Sequence, residues 1–230
     1  MIILLYGPDD YRREEKKHSI KEEFLKKYSG LSVGSFDFLE KEAFEEFKNF
    51  VKSQSIFETK KIVFVENAFE ERDQKGIAEI FASLLENKNT TMVISEKGKP
   101  LKAFSFLLEK SFLVKDFPRL ESKDFEKFIS AIAKEHRVNL EAGALAFLAR
   151  AFAGNSWGAA TEIQKLSLLG KSVITQKDLE GTMIETLPDF WAVINSLKNP
   201  DIRERLFMIE RLFAANEPAA KIFNVRSATS

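Results

Sequence analysis

The chain has 230 residues, 44% hydrophobic and 30% charged, with 35 basic residues balanced by 35 acidic ones. That length suits one large or two modest domains, and zero net charge excludes nucleic-acid binding driven by a general basic excess, so any DNA contact is local or comes through partners. The absence of cysteine excludes disulfides, thiolate metal sites and a Cys nucleophile, and fits a reducing compartment.

Met1 to Leu5 is apolar but short, lacks a basic leader and runs into Gly7-Pro-Asp-Asp10, so it is not read as a signal peptide. No run approaches the ~18 apolar residues of a membrane span; a cytoplasmic protein with no membrane contact is expected. Ile2 to Tyr6, stopped by Gly7-Pro8, has the signature of a buried strand. Asp9 or Asp10 can cap a helix running to about Leu25. Ser32 to Phe38 alternates as a second strand, and Glu42 to Val51 places Phe44, Phe47 and Val51 at helical spacing. A third strand is expected at Ile62 to Val65, a helix at Ile77 to Leu85, a strand at Thr91 to Ser95, a helix at Leu101 to Leu108, and a fifth strand at Phe112 to Val114, closed by Phe117-Pro118. Short apolar strands separated by helices imply a parallel sheet covered on both faces, an α/β domain over 1–118. The 22 phenylalanines are read mainly as its core.

After Pro118 the pattern becomes helical. Ser122-Lys-Asp-Phe-Glu opens a helix with a capping signature and carries it to about His136. Leu140 to Phe152, stopped by Gly154-Asn155, Ala159 to Leu169, stopped by Gly170, and Thr175 to about Ile184 complete a small helical domain over 119–185. Pro188 to Leu197 and Pro200 to Phe213 start a third, helical domain over 186–230, with a further start at Pro218.

An α/β sheet followed by a small helical domain is the layout of AAA+-type nucleotide-binding modules. A phosphate loop needs glycines and a Lys-Ser/Thr pair. Here the first loop reads Gly7-Pro-Asp-Asp-Tyr-Arg-Arg-Glu-Glu-Lys, and its two aspartates repel phosphate where a helix N-terminus should attract it. A functional phosphate loop is therefore not expected. Glu66, at the end of the third strand, reads as a solvated or capping acid. His18 and His136 lie in charged helical stretches, with no metal or triad partner evident, so no cofactor, metal or catalytic residue is assigned. Glu162 and Lys165 form a surface pair at helical spacing.

The stretch Ser53 to Asn67, SQSIFETKKIVFVEN, places Ile56 and Phe57 side by side in a short polar connection. Read by periodicity they are helix-terminal core.

Several segments together resemble the delta subunit of the bacterial DNA polymerase III clamp loader. They are Leu5-Tyr-Gly-Pro-Asp-Asp-Tyr11, Ser55-Ile-Phe-Glu-Thr-Lys-Lys-Ile-Val-Phe-Val-Glu-Asn-Ala68, Thr91-Met-Val-Ile-Ser-Glu-Lys97, Glu162-Ile-Gln-Lys-Leu166 with Ile174-Thr175, Phe190-Trp191, and Glu217-Pro-Ala-Ala-Lys-Ile222. Arg12 departs from the family's usual Leu. The resemblance covers nearly the whole chain and implies an AAA+-like fold without ATP hydrolysis of its own. Its implied role is to bind the ring-shaped sliding clamp (beta subunit) through a hydrophobic tip and favour the open ring for loading onto primed DNA. By resemblance the tip is Ile56 and Phe57, with Gln54 and Ser55 on the approach. The implied partners are the clamp, the gamma/tau and delta prime subunits, and primed DNA through the complex. The family continues into a complete helical collar, of which this chain is expected to carry only the first helices, as a truncated form. Two other readings are a degenerate P-loop ATPase or nucleotide-binding regulator, separated by ATP affinity, and a DNA-binding regulator. The latter lacks a basic recognition helix, since Leu140 to Phe152 has only Arg150.

Overall fold

A computed structural model describes residues 1–53, 60–70, 73–181, 202–203 and 205–206. The chain divides into two compact units, Met1–Arg119 and Leu120–Ser230.

In the first unit β1 (Ile2–Tyr6), β2 (Val33–Asp37), β3 (Lys61–Glu66), β4 (Thr90–Glu96) and β5 (Leu113–Asp116) alternate with α1 (Asp10–Leu25), α2 (Ala43–Lys52), α3 (Gln74–Leu84) and α4 (Phe106–Lys110). All pairings are parallel, in the order β2-β3-β4-β1-β5. β1 lies inside the sheet, and its side chains serve two cores. Ile2 and Leu4 join Val63, Val65, Met92 and Ile94 beneath α2, α3 and α4, while Ile3 and Leu5 join Ile62, Phe64 and Val93 beneath Ile20 and Phe24 of α1. The period-2 alternation of a strand buried on both faces produces this division. On the first face the phenylalanines form a connected run: Phe38–Phe47 at 5.5 Å, Phe47–Phe81 at 5.9 Å, Phe81–Phe104 at 5.9 Å and Phe104–Phe69 at 4.6 Å between ring centroids. Tilted and edge-on pairs at such distances add to burial.

The predicted strands recur with small shifts. β3 gains Lys61 and Glu66, and β4 gains Thr90 and Glu96. The expected helix over 101–108 is a 3₁₀ turn, Lys102–Phe104, followed by the short α4. Its buried residues, Phe104 and Leu107, are three apart, a spacing that either kind of turn accommodates.

The second unit contains α5 (Ser122–Glu135), α6 (Ala142–Phe152), α7 (Ser156–Ser167) and α8 (Gln176–Gly181). Phe125, Ile129, Ala144, Leu148, Phe152, Ile163 and Leu166 are buried where α5, α6 and α7 pack. Two caps differ from the sequence reading. Ser122 is the first residue of α5, at φ 45°, and Glu121 holds the cap position with no side-chain bond. Asn155 does not merely end the preceding helix. Its side chain accepts from Gly158 N at 3.0 Å and so starts α7 three residues before Ala159. Thr175 does sit before α8, where its N–H and hydroxyl both donate to Asp178, each at 2.9 Å.

The expected helices beyond Ile184 lie outside the described residues, apart from helical positions 202–203 and 205–206. Among the described residues no helix is long and apolar enough to cross a membrane, and no cluster of His, Asp and Glu could hold a metal ion.

Candidate functional site

In an open parallel α/β sheet, ligands gather at the carboxyl ends of the strands. Here that edge is occupied by the protein itself. A phosphate loop of spacing Gly-x4-Gly-Lys-Ser/Thr counted from Gly7 would reach Arg12, Arg13 and Glu14. Instead α1 begins at Asp10, so the residues that would wrap a phosphate are already helix. The helix N-terminus carries its own anion, because the Asp9 carboxylate accepts from Arg12 N at 3.2 Å. Asp9 also pairs with Arg12 Nε at 2.8 Å. Arg12 further donates to Pro118 O and lies 5.6 Å from the Phe117 ring centroid.

Arg13 falls at the phosphate-loop lysine position by that count. It is buried: Nη1 donates to Ser95 Oγ at 2.7 Å and Nη2 pairs with Asp10, while Nε meets no hydrogen-bond partner among the described residues. Lys17 bridges Glu14, at 2.8 Å, and Glu66. Glu66 is thus a half-buried ion-pair partner at the end of β3, a use that its strand-end position alone did not reveal. Five carboxyls, on Asp9, Asp10, Glu14, Glu66 and Glu96, meet three cations here, Arg12, Arg13 and Lys17. A polyphosphate would add like charge to an edge already rich in it.

Glu96 is the buried member of this group, 3% exposed. Its Oε1 accepts from Ala68 N at 2.7 Å and so braces the turn after β3. Burial pushes its carboxyl up to about 7, against the opposing effects of the Ala68 and Phe69 N–H groups and Arg13, while Glu70 adds to the rise. The folded value lies above the unfolded one, so this contribution to stability is complete below about pH 4.5 and is lost as pH rises through about 7. Glu96→Gln keeps an acceptor for Ala68 N and removes the charge. It should be more stable than wild type at pH 8 by on the order of 1–3 kcal/mol, with the difference much reduced at about pH 5. Urea denaturation at the two pH values measures this.

The amino-terminal edge of the sheet carries the other candidate. Because β2 and β3 are parallel, α2 runs back and delivers its end to the start of β3. The expected tip residues Gln54, Ser55, Ile56 and Phe57 lie outside the described residues. The residues flanking them are described. Lys61 Nζ donates to Phe50 O at 2.9 Å, to Ser53 Oγ at 2.9 Å and to Ser53 O. Lys60 reaches the other way, to Lys88 O at 2.6 Å. Leu31, in the 3₁₀ turn before β2, is 87% exposed. A single exposed leucine is ordinary on a protein surface. The sequence reading of a short polar connection here missed that Lys61 is buried. The available signal was a lysine directly abutting an apolar strand that is covered on both faces.

His18 is exposed beside Glu22, 3.1 Å away. Glu162 is buried under a 3.4 Å contact with the exposed Lys165, so only one partner of the expected surface pair is at the surface.

No family model matches the sequence, and no curated protein matches it. Solved structures do. The Bacillus subtilis DNA clamp loader delta protein (YqeN) aligns with a TM-score of 0.61 and 19% identity, over 97% of this chain and 70% of that one. The Thermotoga maritima RuvB Holliday junction branch migration motor aligns with a TM-score of 0.56 and 15% identity, over 85% of this chain and 67% of that one. A point mutant of the same RuvB aligns with a TM-score of 0.58 and 14% identity over the same shares. At these identities the likeness is one of fold: the chain shares with these proteins a parallel α/β sheet with flanking helices.

Proposed function

We propose that the chain is a non-catalytic clamp-loader subunit. In this reading Gln54, Ser55, Ile56 and Phe57 bind a sliding clamp and help hold the ring open for loading onto primed DNA during replication. The first domain, 1–118, carries the clamp contact, 119–185 serves as the lid-like helical domain, and 186–230 begins the collar that meets the gamma/tau and delta prime subunits in the cytoplasm. One observation carries the reading. In an AAA+-like fold, the edge that would bind nucleotide is closed by Asp9, Arg12, Arg13 and Glu96. Such a domain acts by binding another protein rather than by turning over ATP. The sequence resemblance and the fold likeness to a clamp loader delta protein support the same role. A tip favours opening only in so far as it binds the open ring better than the closed one.

Calorimetric titration of the chain with a sliding clamp tests the reading, which fails if no binding is observed. ATP provides the second arm. A nucleotide present at about 100 times its Kd would stabilise the fold by about 2.7 kcal/mol. The expected melting temperature with millimolar Mg-ATP is unchanged, and a rise of several degrees would favour the nucleotide-binding alternative.

A further inference from the structure

We propose that Lys61 is a positioning residue for the partner-binding segment: its buried ammonium fixes the points at which residues 54–59 leave and rejoin the domain. The inference rests on the clamp-binding reading, which it deepens.

Lys61 opens β3 and is 9% exposed, and its backbone N–H donates to Asn89 O at 2.8 Å. An ammonium has three protons to donate. Here three acceptors, Phe50 O, Ser53 O and Ser53 Oγ, all belong to the end of α2. The same charge lies 5.2 Å from the Phe50 ring centroid. The last carbonyls of a helix have no intrahelical donors and sit at its negative end, so a lysine there satisfies both hydrogen bonding and the dipole. Ser53 is held from the helix side as well, its N–H donating to Asn49 O at 2.9 Å and its hydroxyl to Phe50 O at 2.8 Å. Removal from water lowers the Lys61 pKa from its ordinary value.

The tie therefore runs from the first residue of an interior strand to the last residue before the segment. Lys60 anchors the returning chain to the turn before β4. A segment whose ends are fixed together loses fewer conformations on binding, so affinity is gained without a new contact. β3 pairs with both β2 and β4 through its backbone, to which the ammonium supplies no bond.

The test uses the full chain with Lys61→Met and the conservative Lys61→Arg. Without any partner, a glutamate-specific endopeptidase should cleave Lys61→Met after Glu58 about tenfold faster than wild type, while Glu45 and Glu79 in the helices stay protected. Lys61→Arg should restore most of the protection. With the clamp, Lys61→Met should bind about tenfold more weakly, chiefly through slower association. Equal cleavage at Glu58 in wild type and Lys61→Met overturns the inference even if wild type binds the clamp. Faster cleavage spread to Glu45 and Glu79 also overturns it, since that reports general destabilisation. Absence of clamp binding by wild type overturns the clamp reading and the positioning role with it, and the cleavage at Glu58 then tells whether the tie itself holds.

Discussion

Replacing Ile56 and Phe57 together by alanine should lower the affinity for a sliding clamp by about two to four orders of magnitude, with the melting temperature unchanged. Each side chain, moved from water into an apolar pocket, is worth ~1.5–3 kcal/mol, and the two contributions are lost together. Aromatic and large aliphatic anchors that fill a partner's pocket dominate interface energetics in this way, and their loss is read mainly in dissociation. The single changes separate the anchors: Phe57→Ala alone should cost more than Ile56→Ala, because the ring carries the larger apolar area. The melting temperature decides between the two readings of the pair. If both residues were core at a helix end, the double variant would lose several kcal/mol of stability. A chain that melts early and still binds the clamp would sink the tip assignment.

The fold was legible where the pattern was local. Ile2 to Tyr6 and Thr91 to Ser95 are apolar runs of strand length bounded by turn residues, and the structure makes them neighbouring strands with Ile2 opposite Met92. The aromatic content was traceable to a core for the same reason, since Phe44 and Phe47 recur at helical spacing and both join the run of rings. Strand order was a different matter. That β1 lies between β4 and β5 depends on pairing across the whole unit, which no local period encodes.

At the nucleotide-type edge, the sequence told what was missing but not what had replaced it. Arg13 looked like one more charge in a charged helix. Only the approach of β4 shows that it bonds Ser95. Lys61 escaped for a related reason. Its acceptors are chiefly carbonyls at the end of α2, and a backbone acceptor has no signature in side-chain types. Asn155 was misread because one residue can both follow a helix and cap the next, and the deciding bond, to Gly158 N, is a matter of backbone geometry.

Gly7→Ala is expected to destabilise the first unit by about 3–5 kcal/mol, because backbone strain and steric overlap act together. Gly7 holds φ +126°, in the region that L side chains rarely adopt, and a Cβ there would stand 2.4 Å from Phe117 O and 2.6 Å from Phe117 C. Both obstacles are backbone, so no rotamer relieves them. The two chain segments would have to part, and that parting strains the bonds Gly7 N to Glu96 O at 3.0 Å, Phe117 N to Tyr6 O at 2.7 Å and Asp9 N to Phe117 O at 3.1 Å. For a chain of this size the melting temperature should fall by about 6–20 °C. Gly30→Ala is the control, since a Cβ there meets nothing within 4 Å, and it should melt close to wild type. Melting of Gly7→Ala alongside wild type would mean that the edge is open, and would return a ligand site to the start of α1. In a phosphate loop, glycine lets the backbone approach a ligand. In this chain the same residue type lets the backbone approach Phe117, so the glycine that would have admitted a phosphate instead closes the edge.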